Sequence, residues 1–421
     1  MKEIRPRGPV NATVRIPGSK SVSHRALIAA SLCEGTSRIE NLVECEDTLY
    51  TLNALRDLGV KISKEDGIVT VSGTGGRFPY SAGVRSIFLG NSGTSYRLLL
   101  STVALAWGDF LLCGSERMQE RPVGDLVRAL NELGVEVSCT GRDNFPPAYI
   151  RAKGMAGGSV KIRGEMSSQY VSSLLLAAPY AEKDVEIEIE GDLVSRPYVD
   201  LTIEVMERFK VHVFREGCRH FRVSGGQNYS PRDFAVEGDV SSASYFWAAA
   251  AVTGGEVMTE SIHSHTTHQG DIAFLQLLER MGCDIQSESD KVHVHAGSLK
   301  GIDADMNSMP DMVPTLAAVA LFADGKTTIR NVAHLRHKES DRLASIALEL
   351  GKLNGDVEEL PDGLMIHGCA PLSGSVVDPH DDHRIAMSLA VIGLMVPGVR
   401  IGNEGCVNKS FPNFWDLWDT I

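Results

Sequence analysis

The chain has 421 residues, 43% of them apolar and 23% charged, a globular composition too long for one ordinary core, so about two domains are expected. Lys and Arg number 41 against 54 Asp and Glu, a net charge of −13, which argues against a nucleic-acid surface and makes local cation clusters informative. The eight Cys are scattered, without C-x-x-C or zinc spacing, and read as reduced thiols. The opening MKEIRPRGPV has no apolar signal-peptide core. The apolar runs near 98–107, 245–252 and 385–397 fall short of the ~18–20 residues that span a bilayer, so a cytoplasmic protein without a membrane role is expected.

In chain order, two strand-like pieces come first, "MKEIRP" and "NATVRIPG". "GSKSVSHRALIAASL" follows, a polar start running into an apolar helical pattern. It lacks the second Gly that a nucleotide P-loop places before its Gly-Lys-Ser/Thr. The pattern then recurs at "GNSGTSYRLLLSTVALA", "GEMSSQYVSSLLLAAP", "GDVSSASYFWAAAAVTGG", "NSMPDMVPTLAAVALFADG" and "HDDHRIAMSLAVIGLMVPG". Aligning Ser21, Thr94, Ser168, Ser241, Asp311 and Asp381 gives a period of roughly 70–74 residues. Between these starts a second signature recurs: a helix end, then two short strands, as in "ALRDLGVKISKEDGIVTVSG" and "LLERMGCDIQSESDKVHVHAG". The alternation of Val69 with Val71, and of Val292 with Val294, supports strand. Five such hairpins serve six polar-capped helices, and nothing strand-like follows "FPNFWDLWDTI". The N-terminal segment is therefore expected to complete the last unit. Three units each give a first domain over 18–232 and a second over 233–421 plus 1–17, with crossings near 14–20 and 228–236.

Helix N-termini expose unpaired N–H groups and the positive end of the dipole. Ser, Thr and Asp there can be caps and nothing more, which suffices for Ser241-Ser242 and Asp381. The cations fit that explanation less well, because the dipole disfavours them at helix starts. Lys20 and Arg25, Arg97, Arg121, Arg196 and His383-Arg384 all lie at such starts, and Lys409 precedes "SFPNFW". Any one could be a solvated surface charge; the set implies anions held between cation and helix end. "HLRHKESDRLASIALEL" is densest: if helical, Lys338 and Arg342 share a face. The acidic candidates are Asp311 and Glu339. Like charge from bound anions would raise a carboxylate's pKa, suiting a general acid or base.

"PGSKSVSHRALIAASL", "LGNSGTSYR", "QERPVGDL", "SSQYVSSLLLAAP", "LVSRPYVD", "MPDMVPTLA", "HKESDRL", "DDHRIAM" and "CVNKSFPNF" run in order over nearly the whole chain. They closely resemble the motifs of the 5-enolpyruvylshikimate-3-phosphate synthase family. The resemblance implies a two-domain inside-out α/β barrel of six βαβαββ repeats, three per domain, with helix N-termini facing a cleft. It implies transfer of the enolpyruvyl group of phosphoenolpyruvate to the 5-hydroxyl of shikimate 3-phosphate, through a tetrahedral adduct and with release of phosphate. No metal and no cofactor are implied; the partners are those two substrates, with no nucleic acid and a monomer expected. On the family's pattern Lys20, Ser21, Arg25, Ser167, Ser168, Gln169, Ser195, Tyr198, Asp311 and Lys338 contact shikimate 3-phosphate. Lys20, Asn91, Gly93, Arg121, Gln169, Arg342, Arg384 and Lys409 match the phosphoenolpyruvate pocket. Asp311 resembles the base for the 5-hydroxyl proton and Glu339 the acid that protonates the methylene carbon; Lys20 could share either transfer.

His334 departs from the family, many members of which carry Asn there, and Ser92 replaces a common Ala. Gly93 leaves the phosphoenolpyruvate position without a side chain, so inhibition by glyphosate is expected. A sister enolpyruvyl transferase acting on UDP-N-acetylglucosamine carries a reactive Cys just before its Arg-Pro-Val; here Glu116 stands near that place, and Cys113 lies further back on "DFLLCG". A non-catalytic anion-binding repeat protein would keep the caps and cations but not need Asp311 and Glu339. A nucleic-acid end-processing enzyme of related architecture fits poorly with the acidic balance. The cations fall in both halves, so bound anions are expected to draw the cleft shut.

Overall fold

A computed structural model describes all residues, Met1–Ile421. The chain divides into two compact units, one of Gly18–Val236 and one of Met1–Pro17 with Glu237–Ile421. Each has its own continuous apolar core. The first unit ends at Val236 rather than 232, because Asp233–Ala235 is a strand of that unit: it lies parallel to Glu34–Glu40, pairing Phe234 with Ile39.

Six sheets result, and five share one order: a parallel pair, then an antiparallel hairpin. In the first unit Asp233–Ala235 and Glu34–Glu40 are followed by Ile68–Thr74 and Lys61–Glu65. Ser81–Phe88 and Trp107–Cys113 are followed by Ala148–Lys153 and Glu136–Cys139. Gly158–Arg163 and Val185–Glu190 are followed by His220–Val223 and Phe214–Glu216. The second unit repeats this with Asn11–Arg15, Glu256–Glu260, Lys291–His295 and Asp284–Ser287, then with Asp303–Asp305, Lys326–Arg330, Gly363–His367 and Asp356–Leu360. Its last sheet has only Val376–Val377, Arg400–Ile401 and Lys2–Glu3. The alternation along Val69 and Val71, and along Val292 and Val294, puts those four side chains in the core, as a half-buried strand requires. All six sheets are open; none closes on itself.

The N-terminal segment splits. Lys2–Glu3 joins the last sheet, but Asn11–Arg15 pairs in parallel with Glu256–Glu260 instead. Two strands are thus exchanged: Asn11–Arg15, which precedes the first polar-capped helix, serves the second unit, and Asp233–Ala235, which precedes the fourth, serves the first.

Some helices are buried on every side. All of Val240–Thr253 is buried, and all of Lys20–Leu32 except Ser21. Such helices belong to a core interior, where their polar atoms must find partners. Trp247 Nε1 accordingly donates to Thr259 Oγ1 at 2.9 Å. Val240–Thr253 ends at Gly254, whose φ of 76° turns the chain in a conformation that a side chain would strain. No helix is long and apolar enough to cross a membrane, and all eight cysteines are free thiols.

Phe234 fastens the exchanged strand. Its ring stacks on Phe209 at 5.4 Å, lies under the Arg208 guanidinium at 3.7 Å and is 1% exposed. Phe234→Ala is expected to cost about 3–5 kcal/mol of stability, read as a lower urea midpoint; a loss below about 1 kcal/mol would mean that the strand is not held by this ring.

Candidate active site

In the first unit, three helix starts carry cations already engaged by the protein. Lys20 is the first residue of Lys20–Leu32, and its Nζ lies 2.9 Å from Asp47 Oδ2, both side chains being largely buried. One turn on, Arg25 is 1% exposed; Nε donates to Thr202 Oγ1 at 2.7 Å, Nη1 to the Ser21 carbonyl at 2.8 Å and Nη2 to the Tyr198 carbonyl at 3.1 Å. Burial lowers its pKa to about 10, against an opposing pull from Tyr198, so Arg25 stays charged at neutral pH. Ser195, with φ of 54°, accepts at its carbonyl from Tyr198 N at 3.1 Å, which sets the entry to helix Pro197–Arg208.

Arg121 Nη1 donates to the Asn91 carbonyl at 2.9 Å and to Asn91 Oδ1 at 3.2 Å. Its guanidinium lies against Gly93, the first residue of helix Gly93–Ala104, where a Cβ would stand 2.6 Å from Arg121 Cζ. Ser92 caps that helix, accepting from Ser95 N at 3.3 Å. Ser167 caps the helix Ser168–Ala177 by accepting from Gln169 N at 3.2 Å. Gln169 is held at both ends: Oε1 accepts from Arg97 Nη1 at 2.8 Å, and Nε2 donates to Thr94 Oγ1 at 3.1 Å. Arg97 also donates to the Pro122 carbonyl at 3.1 Å and rests over the Tyr170 ring. Within this unit, then, the predicted residues gather at neighbouring helix starts.

In the second unit, Asp311, Lys338, Glu339, Arg342 and Arg384 form one network. Asp311 Oδ1 accepts from Arg342 Nη1 at 2.8 Å and Oδ2 from Arg384 Nη2 at 2.7 Å; Lys338 Nζ lies 4.0 Å from Oδ1. Arg342 is 1% exposed and also donates to Glu339 Oε2 at 2.9 Å and to Asp382 Oδ2 at 2.7 Å. Burial works to raise the Asp311 pKa, but Arg384, Lys338 and Arg342 together overcome burial and the repulsion of Glu339, and hold it well below the usual carboxylate range. Lys409 is buried at the end of the short helix Glu404–Lys409, which packs on the helix His383–Gly393.

The helical reading of 338–342 is overturned. A short 3-10 helix over Ala333–His337 ends at an extended Lys338, and the next helix, Arg342–Lys352, begins only after Asp341. Asp341 Oδ1 accepts from Ala344 N at 3.2 Å, the bond of an N-cap, which breaks the turn between Lys338 and Arg342. The caps elsewhere also differ from the expectation. Asp239, not Ser241 or Ser242, caps Val240–Thr253, and Asp382, not Asp381, caps His383–Gly393. Asp381 has φ of 55°, outside the extended region that a cap occupies. Asp47 and Asp382, the partners of Lys20 and Arg342, are residues that the sequence reading passed over; both lie inside charged clusters, "ECEDT" and "HDDHR".

His334 lies half-buried beside Lys338, and its Nε2 meets no partner. Burial, then Lys338, push its pKa down to about 3, Asp311 opposing. The folded protein keeps this imidazole neutral while the unfolded chain protonates below about pH 6.5, so stability falls as pH drops through that window. His334→Asn is expected to relieve the fall by about 2 kcal/mol at pH 5 relative to pH 7.5, measured as the change in urea stability between the two pH values. A difference from wild type that is the same at both pH values would remove this effect.

Capped helix starts bearing buried arginines, in an open-sheet α/β chain, define an anion-handling α/β protein. The family model of EPSP synthase (3-phosphoshikimate 1-carboxyvinyltransferase) matches residues 4–418. The chain is 48% identical over 410 residues to the 3-phosphoshikimate 1-carboxyvinyltransferase of Methanoculleus marisnigri, covering 97% of this chain and 96% of that one. It is 44% identical over 416 residues to that of Vibrio atlanticus, covering 98% and 97%. An EPSP synthase structure from Acinetobacter baumannii superposes with a TM-score of 0.82 at 29% identity, covering 99% and 97%. The chain belongs to the EPSP synthase family.

Proposed function

We infer that this chain is a 3-phosphoshikimate 1-carboxyvinyltransferase: it moves the enolpyruvyl group of phosphoenolpyruvate onto the 5-hydroxyl of shikimate 3-phosphate and releases phosphate, a step of aromatic amino-acid biosynthesis. The observation that carries the reading is Asp311 held between Arg342 and Arg384, a carboxylate embedded in the cations that two phosphates and two carboxylates need. We read the six sheets with their helices as six βαβαββ units, three to each domain, arranged as an inside-out barrel. The reading carries with it a monomeric cytoplasmic enzyme that takes these two small molecules and needs neither metal nor cofactor.

Lys20, Ser21, Arg25, Ser167, Ser168, Gln169, Ser195, Tyr198 and Lys338 serve shikimate 3-phosphate. Lys20, Asn91, Gly93, Arg121, Gln169, Arg342, Arg384 and Lys409 serve phosphoenolpyruvate. Arriving anions offset the positive charge around Asp311 and raise its basicity towards the ordinary range. Asp311 takes the 5-hydroxyl proton as the oxygen attacks C2 of phosphoenolpyruvate, and Glu339 delivers a proton to C3, giving a tetrahedral adduct. Loss of phosphate and of a C3 proton restores the double bond. The fixed arginines stabilise charge on the adduct and the departing phosphate. The test is phosphate release, which should require both substrates together; release that ignores shikimate 3-phosphate would overturn the reading.

Gly93 gives a second test. A methyl group there forces Arg121 aside, since it would stand 2.6 Å from Cζ. Gly93→Ala is expected to raise KM for phosphoenolpyruvate about 10–100-fold, the worth of a charged hydrogen bond, with a smaller effect on shikimate 3-phosphate. Equal changes for the two substrates would deny Gly93 and Arg121 this place. Because Gly93 brings no side chain to this position, we also expect inhibition by glyphosate, and unchanged turnover at millimolar concentration would count against it.

A further inference from the structure

Asp271 is a buried carboxylate that none of the roles above uses. It sits in the short 3-10 turn Gly270–Ala273 and is 4% exposed. Oδ2 accepts from Ser241 Oγ, in the first turn of the helix Val240–Thr253, while Oδ1 meets no donor. That helix packs against the turn holding Asp271, the turn Pro310–Met312 holding Asp311, and the helix His383–Gly393 holding Arg384. A buried carboxylate oxygen without a donor is costly unless its charge is offset or neutralised, and the positive charge of Arg384, on the helix packed against Val240–Thr253, acts on it.

We propose that Asp271 is a positioning residue for anion capture: when ionised it competes with the incoming anion for the charge of Arg384, so that binding of phosphoenolpyruvate is coupled to protonation of Asp271. This rests on the function inferred above and concerns the same site. The groups acting on Asp271 are Asp311 and Arg384 from the two packed elements, Asp239 that caps the helix Val240–Thr253, and Ser241 in its first turn; Tyr245, on the same helix, interacts with Arg384. Burial first, then Asp311, push its pKa up to about 7, with Arg384 and the Ser241 hydroxyl pulling it down and Asp239 adding to the rise. Tyr245 is held neutral by burial, so it does not titrate in the same range. An anion that draws Arg384 away removes a cation and adds negative charge, and both changes raise the Asp271 pKa further. Linkage then requires the ionised form of Asp271 to weaken anion binding by the same factor.

The experiment is steady-state phosphate release from phosphoenolpyruvate and shikimate 3-phosphate by the full chain, from pH 6 to pH 8.5, for wild type, Asp271→Asn and Ser241→Ala. The ratio of Asp271→Asn to wild type in kcat/KM for phosphoenolpyruvate is expected to climb about tenfold over this range, the equivalent of one pH unit of linkage. The climb should come through KM, with the kcat ratio flat. Taking the ratio cancels the ionisations of the substrate itself. Ser241→Ala removes a hydrogen bond that favours the ionised form, so the alkaline decline of its kcat/KM should move up by about half a pH unit or more. A ratio that does not vary with pH would overturn the proposal and leave Asp271 a structural residue. Should Asp271→Asn fail to fold, an unmoved profile in Ser241→Ala overturns it equally. A wild-type chain that releases no phosphate would defeat the functional reading instead, before Asp271 is tested.

Discussion

Asp311→Asn is expected to lower turnover by about 10²–10⁴-fold, the usual worth of a general base, while shikimate 3-phosphate still binds. The amide keeps the shape of the carboxylate but accepts no proton at neutral pH. It also removes the negative charge that now lies 2.8 Å from Arg342 and 2.7 Å from Arg384. Those arginines are left less neutralised, so anion binding is retained or tightened. The pair of measurements is the rate of phosphate release and calorimetric binding of shikimate 3-phosphate. Unaltered turnover removes Asp311 as the base; lost binding with lost turnover would point to collapse of the site instead.

Arg342→Met is expected to destabilise the fold by about 3–5 kcal/mol as well as abolish turnover. Arg342 donates to three carboxylates, Asp311, Glu339 and Asp382, and Asp382 is fully buried. Removing the guanidinium leaves negative charge in a dry site. The loss should depend on pH. The Asp311 pKa is depressed in the fold, so its pairing adds stability at neutral pH, fully present above the unfolded value near 3.9 and lost as pH falls through the folded one. The deficit of the variant is therefore full at pH 7 and narrows as pH falls below about 4. Urea midpoints at pH 7 and at about pH 3 check this, and a deficit under about 1 kcal/mol at pH 7 would mean that the network tolerates its missing centre.

The sequence exposed the parts of this architecture that local chemistry controls. Polar starts at a regular spacing, each followed by an apolar run, marked the helices, because caps and helical periodicity are written within a few residues. The hairpins were legible for the same reason, as with Val292 and Val294. Cap identity was less so: Asp239 and Asp382 lie just upstream of or beside the residues chosen, and only the backbone angles decide which side chain reaches the free N–H groups. The helix drawn through Lys338 and Arg342 failed because Asp341 competes for the backbone between them, an effect that i, i+4 spacing does not register. The parallel pairing of Asn11–Arg15 with Glu256–Glu260 was invisible, since the partners lie far apart in the chain and either strand could have joined another sheet. Asp271 escaped notice because a lone acid in "QGDIAF" reads as a surface residue until burial is known.

The exchanged strands impose an order on synthesis. By the time residue 236 has left the ribosome, every strand of the first unit has been made, so that unit can close while translation continues. Residues 1–17, although made before that unit, have no lasting neighbours at that stage: Asn11–Arg15 waits for Glu256–Glu260, and Lys2–Glu3 waits for Arg400–Ile401. The nascent chain therefore carries strands without sheet partners alongside a finished first unit until their distant partners emerge.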